Sequence, residues 1–164
     1  MKSEKIKFQD LFFYNSVIKD QIDLKINEII KSSAFINGPD KSEFEKNFAK
    51  FCMSKYSVGV GNCTDALEIC IEALELPKNS EIIVPANSFI ATSEAVTRTG
   101  HKVVFADCNK ENYTICPESI KDKISKNTGA IIAVHLYGHP CDIDEIKKLA
   151  KGYKISIIED CAQS

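Results

Sequence analysis

The chain has 164 residues, 44% of them hydrophobic and 27% charged, with a formal net charge of −2. Near-neutral charge without a basic stripe excludes the electrostatic footprint of a nucleic-acid binder. No apolar run approaches a membrane span. The length suits one sizeable core, so one domain or a large part of one is expected. The amino terminus, Met1 to Lys7, is charged and lacks the apolar stretch of a signal peptide. Seven cysteines, odd in number and without a C-x-x-C pair, point to reduced thiols in a cytoplasmic protein rather than a disulfide framework.

Ile18, Ile22, Ile26, Ile29 and Ile30 recur at helical spacing and predict an amphipathic helix near 16–32. Turn chemistry from Ser33 to Pro39 breaks it. Ser42 and Glu45 then form a capping box for a second helix, and its stripe of Phe44, Phe48 and Phe51 reads as core. From Tyr56 a βα rhythm sets in. Strands are expected at Tyr56–Val60, Glu81–Val84, Lys102–Ala106, Ala130–Tyr137 and Ile155–Ile158. Helices are expected at Thr64–Leu76, at Phe89–Thr99 closed by Gly100, from Pro117, and at Asp142–Lys151 with Gly152 at its end. Strands alternating with helices at this period mean βαβ units, a largely parallel sheet and helices on both faces. The expected fold is therefore a three-layer α/β/α arrangement, with helices over 1–55 and the sheet over 56–164.

Ligands collect beyond the carboxyl ends of strands in such sheets, and the polar residues cluster there. Gly59-Val-Gly-Asn-Cys63-Thr64-Asp65 runs from a turn into a helix, where free N–H groups and the helix dipole make an anion site. Thr64 stands at the cap position, so it either binds an anion or simply caps its own helix. The pattern lacks the third glycine of a dinucleotide fingerprint. Phe89, just past a strand, is either core or a flat wall for an aromatic ligand. His135 and His139, with Cys141 and Asp142 nearby, invite a metal reading, which ranks below loop and cap roles because the two histidines need not converge. Asp160 ends the last apolar strand and is followed by the small residues Cys161 and Ala162. It either caps the next element or, buried there, meets something cationic.

Taken in order, several segments resemble the DegT/StrS-like nucleotide-sugar aminotransferases, a family with the aspartate-aminotransferase fold of pyridoxal-phosphate enzymes. They are Phe44-Glu45 with Phe48-Ala49, Val58 to Glu68, Glu81 to Ala86, Ser88 to Thr92, Gly100 to Asp107, Val134 to Gly138 and Ile158 to Gln163. The resemblance runs from about residue 33 to the end, so the fold it implies is part of the large domain, without the small carboxyl-terminal one. It implies a cofactor site of Cys63, Thr64, Asp65, Phe89, Asp160, Ala162 and Gln163. Thr64 and the N–H of Asp65 would hold the phosphate of pyridoxal 5'-phosphate, or of its pyridoxamine form. Phe89 and Ala162 would flank the ring, Asp160 would pair with the ring nitrogen, and Gln163 would sit beside the phenolic oxygen.

The family moves an amino group, usually from glutamate, onto a nucleotide-linked keto-sugar, in cytoplasmic homodimers, and no metal is implied. Two departures stand out. Cys63 stands where the family often has glycine, and the lysine that anchors the cofactor falls beyond Ser164. The 164-residue chain is therefore expected to be inactive alone, as the first portion of a longer enzyme. A dehydratase branch that replaces the lysine with histidine is the alternative, followed by a non-catalytic α/β module that binds a phosphate ligand or a partner chain.

Overall fold

The computed structural model describes residues 6–164, so the first five residues of the charged amino-terminal stretch lie outside the described part. The chain divides into two compact units, Met1–Gly59 and Val60–Ser164.

The first unit is helical: α1 spans Leu11–Ser16, α2 Lys19–Ser32 and α3 Pro39–Phe51. The single helix expected near 16–32 is thus shorter, and a separate turn of helix precedes it. Asp10 caps α1 by accepting the Phe13 N–H at 3.1 Å. Ser33, left-handed at φ 53, ends α2. The expected capping box is not a cap. Gly38 is the N-cap of α3 and Pro39 its first residue, a position for which proline's fixed φ is pre-organised, so Ser42 lies inside the helix. Glu45 instead accepts the Gly59 N–H at 2.8 Å and pairs with Lys41 at 3.2 Å. Both contacts hold its carboxyl below the usual carboxylate range, the Gly59 bond most strongly. The phenylalanine stripe read as core is exposed: Phe44 and Phe48 stack at 5.5 Å, and Phe48 meets Phe51 at 6.4 Å. A further correction concerns Tyr56–Val60, which joins no ladder. Val58 and Val60 on either side of Gly59 match an extended pattern, but a strand exists only where a neighbour takes its backbone bonds.

The second unit carries α4 (Cys63–Ala73), β1 (Glu81–Pro85), α5 (Ala91–Arg98), β2 (Lys102–Ala106), α6 (Pro117–Lys123), β3 (Thr128–Val134), α7 (Ile143–Tyr153) and β4 (Ser156–Asp160). The four strands pair in the order β2-β1-β3-β4, all parallel. Side chains alternate across the sheet, so each strand feeds two cores. On one face Ile82, Val84, Ile132 and Ile158 pack with Leu67 and Ile71 of α4 and Val96 of α5. On the other, Ile83, Ile131 and Ala133 pack with Ile120 of α6 and Ile146 and Ala150 of α7. That is the three-layer α/β/α arrangement expected, with four strands rather than five.

Most element bounds differ from those expected, and two of the shifts change what ends an element. β3 stops at Val134, and a 3₁₀ turn, Leu136–Gly138, takes the residues expected to finish the strand. Gly152 lies within α7, and Lys154, left-handed at φ 59, ends that helix instead. The chain leaves β1 toward β2 on one side and later extends from β3 to β4 on the other. That divergence places a crevice at the carboxyl ends of β1 and β3, where sheets of this kind bind ligands.

Candidate active site

The crevice is a cleft of about 170 Å³, smaller than the roughly 300–1,000 Å³ of sites that enclose drug-sized ligands. Its walls come from the start of α4 (Cys63, Thr64, Leu67), the β1–α5 connection (Ser88, Phe89) with the first turn of α5, and the ends of β3 and β4. Six of the seven residues singled out in the sequence line it: Cys63, Thr64, Phe89, Asp160, Ala162 and Gln163.

Asp65 does not line it, and the reason is the cap. Asn62, not Thr64, is the N-cap of α4: its Oδ1 accepts the Asp65 N–H at 2.9 Å, and its Nδ2 donates to the Asp65 carboxylate at 3.0 Å. The fourth amide, Ala66, donates to the Asn62 carbonyl. Cys63 and Thr64 are then the first-turn residues whose N–H groups a helix leaves without an intrahelical acceptor. Asparagine is among the strongest N-cap formers, so Asn62 two positions ahead of Thr64 was the available signal.

Asp160 closes β4 with only 6% of its surface exposed. Its Oδ1 accepts the Ala162 N–H at 3.0 Å and faces the Cys63 Sγ at 3.5 Å. Both bonds fall on the same oxygen, which leaves Oδ2 to the cleft. The backbone is fixed as well, since the Asp160 carbonyl accepts the His135 N–H at 3.0 Å. Burial, then the charge of Asp160 beside it, pushes the Cys63 thiol up to about 11. Phe89 is largely exposed in the β1–α5 connection, which excludes a core role. The hydroxyls of Ser88 and Thr92, four residues apart at helical spacing, bond at 2.8 Å.

Gln163 ties two loops together. Its Oε1 accepts the Tyr137 N–H at 2.6 Å, and this fixes the amide, because a backbone N–H can only donate. Tyr137 is left-handed at φ 57 and Gly138 sits at φ 81, where a Cβ would lie 3.1 Å from the Gln163 carbonyl oxygen. Glycine is needed there on both counts.

His135 is buried and turned from the metal arrangement considered above. Its Nδ1 accepts the Cys141 N–H at 3.0 Å, which leaves Nε2 to donate to Glu159 at 3.2 Å. His139 is exposed in the turn beyond. The pair His135–Glu159 braces the ends of β3 and β4, a contact visible only once the strand order is known.

These features define an α/β protein whose parallel sheet presents a helix N-terminus, an aromatic wall and a buried carboxylate to one cleft. A ring bearing an N–H and an anionic arm fits that donor and acceptor set, because Oδ2 is an acceptor and the start of α4 supplies donors. The chain belongs to the DegT/DnrJ/EryC1/StrS aminotransferase family, whose model matches residues 16–164. It is 38% identical to the dTDP-3-amino-3,6-dideoxy-alpha-D-galactopyranose transaminase of Aneurinibacillus thermoaerophilus over 159 residues, 97% of this chain and 44% of that protein. Its fold matches DesV of S. venezuelae, solved in complex with a ketimine intermediate, with TM-score 0.95 and 32% identity over 99% of this chain and 44% of that one. NtdA of Bacillus subtilis, solved with bound cofactor PMP, matches with TM-score 0.91 and 32% identity, over 100% of this chain and 39% of that one. The chain thus spans less than half the length of these relatives.

Proposed function

We propose that the protein of which this chain forms at least part transfers an amino group from an amino acid, glutamate by family habit, to a nucleotide-linked keto-sugar. Pyridoxal 5'-phosphate and its pyridoxamine form serve as the cofactor. The observation that carries this reading is Asp160, a buried carboxylate at a strand tip that lines the cleft, with Oδ1 bonded to Ala162 and Cys63 and no bond to Oδ2 among the described residues. A buried charge left so is costly without a partner, and a protonated ring nitrogen is a partner of the right sign and shape. The transaminase relative and the aminotransferase family model support amino transfer over the dehydratase variant and over a non-catalytic module.

The cofactor, when bound, supplies an electron sink for the charge that develops at the amino acid's Cα. Asp160 would keep the ring nitrogen protonated by placing a carboxylate against it. Thr64 Oγ1, with the N–H groups of Cys63 and Thr64 at the positive end of α4, would hold the phosphate. Phe89 would cover one face of the ring and Ala162 the other. Because Gln163 Oε1 is spent on Tyr137, its Nε2 is the atom left to donate to the phenolic oxygen.

Three further assignments belong to the same proposal: a homodimer, an amino-acid donor and a cytoplasmic setting. The exposed apolar side chains of α1 and α2, such as Phe12, Phe13 and Leu24, support an assembled protein. Light scattering gives its mass directly. All seven cysteines are free, which supports a reducing compartment. Among the described residues no helix is long and apolar enough to cross a membrane.

The test is thermal unfolding with pyridoxamine phosphate. The intact chain is expected to gain stability that rises with the logarithm of ligand concentration above Kd, and the Asp160→Ala variant to gain none. An equal gain in both contradicts the reading.

A further inference from the structure

Cys63 lines the cleft beside Asp160 with a thiol that has no task in the reading above. It opens α4, 97 residues before Asp160, and its Sγ lies 3.5 Å from Asp160 Oδ1. The Ala162 N–H reaches the same oxygen at 3.0 Å. One donor comes from the helix on one side of the cleft and one from the loop beyond β4, so the carboxylate is held between two elements. A carboxylate rotates about Cβ–Cγ over a broad, two-fold profile, and the Ala162 bond alone leaves that rotation loosely defined. The second donor fixes the plane and turns Oδ2 into the cleft.

We propose that Cys63 is a positioning residue for Asp160: its S–H anchors Oδ1 so that Oδ2 is presented to the ring nitrogen of the cofactor. This rests on the role given to Asp160 above. The thiol suits the task at neutral pH because it remains S–H, a donor rather than a competing anion, with its pKa pushed up to about 11 by burial and by the neighbouring carboxylate. A glycine at this position offers no donor, and an alanine offers none either. A serine keeps one.

The experiment measures the affinity of pyridoxamine phosphate by calorimetric titration for the intact chain and for Cys63→Ala, Cys63→Ser, Asp160→Asn and the Cys63→Ala/Asp160→Asn double variant. Loss of one weak donor to a carboxylate should weaken binding roughly fivefold in Cys63→Ala, and Cys63→Ser should stay within about twofold of the intact chain. In the Asp160→Asn background, where an amide oxygen still accepts the thiol but no charge faces the ring nitrogen, the Cys63→Ala change should have a smaller effect than in the intact chain. An alanine variant that binds like the intact chain overturns the proposal, and so does equal weakening by alanine and serine, since that marks packing rather than donation. If Asp160→Asn itself binds normally, or the intact chain does not bind, the role of Asp160 fails and this inference falls with it.

A second readout needs no cofactor. Alkylation of Cys63 followed by peptide mass spectrometry should show a pH midpoint near 11 in the intact chain, moved down in Asp160→Asn. An unmoved midpoint removes the contact on which the proposal stands.

Discussion

On β3, Ile131 and Ile132 point to opposite faces of the sheet and both are fully buried, whereas on α2 Ile22, Ile26 and Ile30 recur at helical spacing and remain 40–56% exposed. Both sets are isoleucines placed at the period of their own element. The sheet unit contains its own cover, since α4 and α5 lie on one face and α6 and α7 on the other. The helical unit contributes only Ala49 to the buried apolar set among its described residues. Periodicity therefore records that a face is meant to be covered, and a second element of the same unit decides whether it is.

Substitutions can break that contrast at graded cost. Ile132→Ala, within the core shared with Leu67 and Val96, should cost about 2–5 kcal/mol of stability, read from denaturant midpoints. A loss below about 1 kcal/mol would mean that the sheet's cover is looser than the burial implies. Next is the cap: Asn62→Ala removes the acceptor for the Asp65 N–H and should cost about 1 kcal/mol. The pH dependence has a definite sign. The Cys63 thiol is raised from 9.0 to about 11 in the folded chain, so the folded state holds its proton longer than the unfolded state. That contribution is fully present below pH 9.0 and is lost as pH rises toward about 11. The decline across this window should be shallower in Cys63→Ala. Smallest of all, Phe51→Ser on the exposed stripe of α3 should change stability within about 0.5 kcal/mol. A loss rivalling that of Ile132→Ala would show that another surface covers this stripe in solution.

The sheet was legible because its strands read as short apolar runs: the edge strand Lys102–Ala106, of which only Ala106 is buried, has the bounds the pattern predicts, and the buried strand at Glu81 differs by one residue. Tyr56–Val60 shows the limit of that signal, since alternating valines say nothing about whether a neighbour supplies the ladder. Helix ends were less legible for a related reason. Asn62 and Thr64 are both competent caps, and only the turn geometry selects between them. Gly152 looked like a terminator, but α7 runs on to Tyr153. In the cleft, Asp160, Thr64 and Phe89 could be named from position after strands, with the resemblance supplying their roles. The bond from Cys63 to Asp160 and the brace from His135 to Glu159 join residues from separate elements. Those pairings follow from strand order and register, which no local pattern contains.

Asp160 acts through the charge state of one ring nitrogen. Pyridoxamine phosphate labelled with ¹⁵N in the ring, bound to the chain and followed by NMR as pH rises, reads that state directly. The bound nitrogen should stay protonated at a pH where the free cofactor has lost its proton, and should revert to the free behaviour in Asp160→Ala. An identical titration in both proteins would contradict the pairing.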